Sequence, residues 1–86
     1  MQKIWYLYIL ECEGDRLYTG ITVDVEARYK VHVSGRGAKF TRSYPPRRIA
    51  FVERHVDRSA ASMAEYAIKK LSPEAKRKLI ANQQEP

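Results

Sequence analysis

Six side chains in this 86-residue sequence are of types that do chemistry: Tyr6, Tyr8, Tyr18, Arg28, His32 and Glu65. Phenols and imidazoles carry protons, a guanidinium is a permanent forked cation for anions, and a carboxylate binds hard cations. Tyr6 and Tyr8 lie two apart in the run IWYLYILE and share a strand face, because side chains alternate. Tyr18 falls on the next strand, able to lie across from one of them. Arg28 and His32 are four apart and share one face of a helix. Glu65 stands between Ala64 and Tyr66, with Ala61 and Ile68 about a turn away, and a carboxylate in that apolar setting needs a reason. Each has a plainer reading when taken alone. Tyrosines on strands pack across the sheet, a helix arginine is solvated, and Glu65 can pair with Lys69 at i+4.

Other chemistries are excluded by what is missing. Two-metal hydrolysis needs clustered carboxylates, and the one cluster, Glu11, Glu13 and Asp15, reads as a solvated hairpin turn. A two-histidine mechanism needs His32 and His55 to converge, and they fall on different elements. Neither a phosphate-binding P-loop nor a dinucleotide fingerprint is present. Cys12 is the only cysteine, so no internal disulfide or thiolate cluster forms, and its role is structural.

The elements that must position these residues follow from local pattern. Ile4 to Glu11 is a well-buried strand, Gly14-Asp15 a turn, and Leu17 to Ile21 a second strand closing a hairpin. Asp24 caps a helix from about Val25 to Val33, ended by Ser34 and Gly35. Gly35 to Arg48 is glycine-, proline- and arginine-rich and is expected to be a loop. Ile49 to Val56 resumes strand composition. Ser59 is expected to cap a helix burying Ala60, Met63, Ala64, Ala67, Ile68 and Leu71. Ser72-Pro73-Glu74 starts a last helix, with Ala75, Leu79 and Ile80 inward and fraying after Asn82. The order β-β-α-β-α-α predicts an α+β fold, a small three-stranded antiparallel sheet with flanking helices. The length predicts a single domain over 1–86 with its core at about 4–80.

A net charge of +6 and a pI near 9.7 point to a polyanionic partner, nucleic acid first and an anionic membrane second. No apolar run nears the roughly 20 residues of a membrane span, and no leader pattern opens the chain, so a cytoplasmic protein is expected. Between Ala27 and Val52 there are seven basic residues and no acid: Arg28, Lys30, Arg36, Lys39, Arg42, Arg47 and Arg48. Beside Gly35 and Gly37 these suit phosphate binding, and Phe40 and Tyr44 offer stacking faces for unpaired bases. A second cluster, Lys69, Lys70, Lys76, Arg77 and Lys78, lies towards helix C-termini, where cations are favoured anyway.

With these residues in order, the sequence resembles the GIY-YIG nucleases, in particular their short stand-alone bacterial branch. Tyr6-Leu7-Tyr8 matches the first signature element and Tyr18-Thr19-Gly20 the second. Arg28, eight residues past Gly20, matches the family's helix arginine; His32 matches a histidine one turn on, and Glu65 the metal-binding glutamate. The segment Gly35 to Arg42 is similar to the branch's loop. The first element departs from the pattern in having Tyr6 and Leu7 for glycine and isoleucine. The family's late asparagine has no match at its spacing, since Asn82 lies 17 residues past Glu65.

The resemblance implies a DNA endonuclease of DNA processing or repair, with one divalent ion, Mg²⁺ or else Mn²⁺, on Glu65. It implies Arg28 on the scissile phosphate and Tyr8 or Tyr18 activating water, helped by His32; Tyr8 is the favoured base and Tyr18 the orienting residue. Tyr6, Gly20, Arg36, Lys39, Thr41 and Arg42 are expected to contact nucleic acid, with single-stranded or structured DNA favoured over plain duplex. The protein is expected to act as a monomer away from membranes. The rival expectation is a non-catalytic nucleic-acid-binding module that keeps the fold.

Overall fold

Gly14 and Asp15 adopt left-handed backbone (φ 75° and 56°), which a tight hairpin turn requires and which glycine and aspartate tolerate. They join β1 (Trp5–Cys12), shifted by one residue from the expected strand, to β2 (Arg16–Thr22), one residue longer at each end than the sequence pattern suggests. The computed structural model describes residues 3–84. The remaining elements are α1 (Val25–Val33), α2 (Lys39–Ser43), β3 (Pro46–His55), α3 (Arg58–Lys69) and α4 (Pro73–Gln84). The sheet is antiparallel in the order β2-β1-β3, so the first strand is central and buried on both faces. This is the expected α+β architecture.

Alternation along β1 divides the interior in two. Leu7 and Ile9 join Ala50, Phe51, Ile68 and Ile80 beneath α3 and α4. Tyr8, Leu10 and Cys12 point the other way and pack with Tyr18, Val25, Tyr29, Phe40, Tyr44 and Ile49, beneath α1 and α2. Ile9 faces Phe51 but Leu10 faces Ile49, a bulge that lets Ala50 and Phe51 both join the first cluster. Cys12 is fully buried, where burial and then the Glu11 charge push its thiol up, as suits a packing residue.

Three expectations about the elements need correction. The basic loop contains the one-and-a-half-turn helix α2, held by hydrogen bonds such as Arg42 N–H to Ala38 O, and β3 begins at Pro46 rather than Ile49. Helix α3 is capped by Asp57, whose Oδ1 accepts from Ala60 N at 2.8 Å, not by Ser59. Its inward stripe is therefore Ala61, Ala64, Glu65 and Ile68, at i, i+3, i+4 and i+7, while Met63, Ala67 and Leu71 are exposed. Helix α4 runs past Asn82 to Gln84 because Gln83 bonds the outer edge of β3: its Oε1 accepts from Val52 N at 3.1 Å and its Nε2 donates to Val52 O at 2.6 Å. No helix among the described residues is long and apolar enough to cross a membrane.

Candidate active site

The site is built around Tyr8, in the central strand and only 2% exposed. Its partner across the hairpin is Gly20, where a Cβ would stand 2.6 Å from the Tyr8 hydroxyl oxygen and 2.7 Å from Cζ. The bare backbone of β2 is what lets the ring lie over it. Tyr18, on the same face, has its ring centroid 6.4 Å from that of Tyr8 and 5.0 Å from that of His32.

Asp24 starts α1 by accepting from Ala27 N at 3.0 Å, and this sets the turn on which Arg28 and His32 follow one another. His32 is buried, with Nε2 2.9 Å from the Tyr8 hydroxyl and Nδ1 2.8 Å from Thr41 Oγ1. The Thr41 hydroxyl in turn lies 2.9 Å from the carbonyl of Ala38. Gly37 passes directly against the imidazole, and a Cβ there would come within 2.3 Å of Nδ1.

These neighbours pull the Tyr8 phenol in opposite directions. Burial, and next the adjacent Tyr18, hold its pKa up at about 12. Arg28 works the other way, by a hydrogen bond and by charge, while the charge of Glu65 adds the smallest upward push. Burial, followed by the Arg28 charge, holds His32 below the ordinary histidine value, so its ring is neutral at pH 7.

Glu65 lies on α3, in the stripe that packs against the sheet, and its charge is felt at Tyr8. Its side chain is 22% exposed and one oxygen, Oε2, sits 3.2 Å from Lys69 Nζ, the i,i+4 pair that a plain reading predicts. Among the described residues no group of three or more His, Cys, Asp or Glu side chains gathers as a ligand cluster. A partly solvated carboxylate whose charge is felt at Tyr8 nevertheless fits a magnesium-type ion. Such an ion keeps several waters and needs one or two protein carboxylates.

The residues expected to touch nucleic acid divide sharply. Arg36, Lys39 and Arg42 are exposed around α2 and the loop before it, with Arg36 Nε donating to Ser34 Oγ at 3.1 Å. Thr41 is 1% exposed and its hydroxyl is spent on His32 and Ala38, so it does not face a ligand. Gly20 is likewise buried beneath Tyr8. Tyr6 is half-buried in a cleft it shares with Asp24 and Glu26, whose charges disfavour phosphate. Phe40 and Tyr44 are not free stacking platforms: Phe40 packs 5.8 Å from Tyr18 and 5.3 Å from Tyr44, and Arg16 covers the Tyr44 ring at 4.3 Å. His55 pairs with Glu53 at 2.7 Å. The parts played by Thr41 and Gly37 around His32 were not foreseen. Only the five residues of α2 bring Thr41 back to α1, and that helix lay hidden in a segment of loop composition.

Comparison with known proteins fits this arrangement. Residues 4–78 match the GIY-YIG catalytic domain. A UPF0213 protein of Cupriavidus necator is 52% identical over 77 residues, covering 90% of this chain and 84% of that one. The UPF0213 protein YhbQ of Escherichia coli is 47% identical, covering 90% and 77%. The solution NMR structure of a UPF0213 protein from Bacillus halodurans superposes with a TM-score of 0.61 at 40% identity, covering 96% of this chain and 88% of that one.

Proposed function

The chain belongs to the GIY-YIG nuclease family, and on that premise we propose that it is a divalent-metal-dependent endonuclease that hydrolyses phosphodiester bonds in DNA. One observation carries the reading: a buried phenol, Tyr8, receives a histidine and an arginine from one helix and the field of a lone glutamate from another. A structural tyrosine has no need of those three neighbours.

In this reading Arg28 binds the scissile phosphate, where its fork neutralises charge that grows in the transition state. A water lined up by Tyr18 attacks phosphorus and the bond to the leaving oxygen breaks. The water's proton goes to the Tyr8 oxygen as the phenol's own proton passes to His32; the leaving oxygen takes a proton from bulk water, and once product has left the His32 proton returns to Tyr8 as the phenol gives its other proton to water. Coupling the two transfers avoids a free phenolate, which a pKa of about 12 disfavours. Glu65 would hold the divalent ion, Mg²⁺ or Mn²⁺. Bound there, it supplies Lewis-acid stabilisation of the phosphate and leaving oxygens.

Arg36, Lys39 and Arg42 supply phosphate contacts along the strand. Phe40 and Tyr44 are packed inside and offer no free stacking faces to unpaired bases, so substrate form is the quantity to measure. A role in DNA processing or repair in the cytoplasm goes with this activity. The test is cleavage of labelled single-stranded, duplex, flap and RNA substrates with Mg²⁺, Mn²⁺ or EDTA. Metal-dependent cutting of at least one DNA form is the expected result. Binding without cleavage under every condition would leave a nucleic-acid-binding module instead.

A further inference from the structure

We propose that Thr41 is a positioning residue: its hydroxyl fixes neutral His32 as the Nδ1–H tautomer, so that Nε2 offers its lone pair to the Tyr8 phenol. The inference deepens the nuclease reading and rests on it for its catalytic consequence, but the tautomer itself is a property of the folded protein alone.

Counting protons fixes the direction of each bond. The Thr41 hydroxyl has one hydrogen and two neighbours, Ala38 O at 2.9 Å and His32 Nδ1 at 2.8 Å. A carbonyl only accepts, so the threonine hydrogen goes to Ala38 and the threonine oxygen is left to accept. Nδ1 must then carry the imidazole hydrogen. A neutral ring has only one, so Nε2 is bare and the hydrogen between it and Tyr8, 2.9 Å away, belongs to the phenol. Every bond in the chain now points one way: Tyr8 to His32, His32 to Thr41, Thr41 to Ala38. In the reverse tautomer Nε2–H would occupy the Tyr8 oxygen and no site would exist for the phenol's proton.

Burial makes this arrangement compulsory rather than optional. His32 and Thr41 are each 1% exposed and Tyr8 2%, so solvent does not stand in for a missing partner. Gly37 closes the imidazole's flank, where even one carbon would clash at Nδ1. Ala38 sits in extended backbone at the start of α2 (φ −66°, ψ 155°), and its carbonyl also accepts from Arg42 N at 3.2 Å. The acceptor that ends the chain is thus itself anchored in the helix.

The experiment is long-range ¹H–¹⁵N NMR of the histidine rings in the full-length, metal-free protein at a pH where His32 is neutral. Wild type is expected to show a protonated Nδ1 and an unprotonated Nε2 for His32. Thr41→Ser should keep that pattern. Thr41→Val, which preserves shape but removes the acceptor, should move His32 towards the Nε2–H form. Alongside, kcat for DNA cleavage should fall on the order of 10²-fold in Thr41→Val with KM little changed, and recover in Thr41→Ser. A wild-type His32 in the Nε2–H form overturns the proposal, and this reading needs no variant to fold. So does a folded Thr41→Val protein with the wild-type tautomer. Should wild type cleave nothing, the nuclease reading fails while the spectra still decide the tautomer.

Discussion

His32 gives up some of its basicity in order to be buried, and that trade has a measurable sign. Its pKa in the folded protein lies below the ordinary 6.5, through burial first and Arg28 second. Between the two values the unfolded chain binds more protons than the folded one, so stability falls as pH drops through 6.5 towards the folded pKa. The slope should vanish in His32→Gln. Cleavage needs the neutral ring, so its acid limb should lie below pH 6.5. Removing the Arg28 charge in Arg28→Gln should raise the His32 titration followed by NMR, because one depressing cause is gone; an unchanged or lower midpoint would contradict this. Glu65 is tested by a different pairing of measurements. Glu65→Gln breaks only an i,i+4 pair with Lys69, worth about 0.3–0.5 kcal/mol, so melting without metal should barely move. Metal-dependent cleavage should be lost and DNA binding retained. A large drop in melting temperature would mean that Glu65 is there to hold the helix.

The elements contribute chiefly by leaving atoms out. Gly20→Ala puts a Cβ within 2.6 Å of the Tyr8 hydroxyl oxygen, in a ring already buried against Tyr18 and His32. A cost of about 1–3 kcal/mol in stability is expected, with activity falling further than stability does. Denaturation midpoints and cleavage rates on the same preparation separate the two. The strands, α1 and the hairpin turn were legible because alternation, Asp24 and Gly14-Asp15 are local signals read within a few residues. Tyr8, Tyr18, Arg28 and His32 were legible for the same reason, as pairs fixed by strand or helix spacing. Helix α2 was not, because Gly35, Gly37, Pro45 and Pro46 dominate the composition around a helix of five residues. Its formation depends on tertiary contact, Thr41 against His32 and Phe40 against Tyr18. The same blindness assigned Thr41 and Gly20 to a binding surface when both are packing. The rotation of α3 was misread by two residues at its cap, which turned Met63 outward and Glu65 inward.

Across the whole molecule, positive charge gathers on the acid-free segment that carries most of α1 and all of α2. Arg36, Lys39 and Arg42 stand exposed around the α1–α2 face, with no acid between Ala27 and Val52. Replacing all three by alanine should reduce the slope of log affinity against log salt by roughly 0.7–0.9 per lost contact. An unchanged slope in a binding titration would put the DNA path elsewhere. Three members of the second cluster are engaged locally instead: Lys69 with Glu65, Lys70 over the Tyr66 ring, and Arg77 with the backbone of Asp15.

The Gln83 side chain has a consequence for how this protein tolerates crowding by its own copies. Strand β3 is an outer strand, and the amide and carbonyl of Val52 point away from the sheet towards any passing chain. An unpaired edge of that kind is a template for intermolecular strand addition. By occupying both groups at once, one glutamine from the last turn of α4 imitates the missing neighbour at Val52 and interrupts the edge there. Gln83→Ala should therefore change catalysis little, yet lower the concentration at which light scattering first detects self-association.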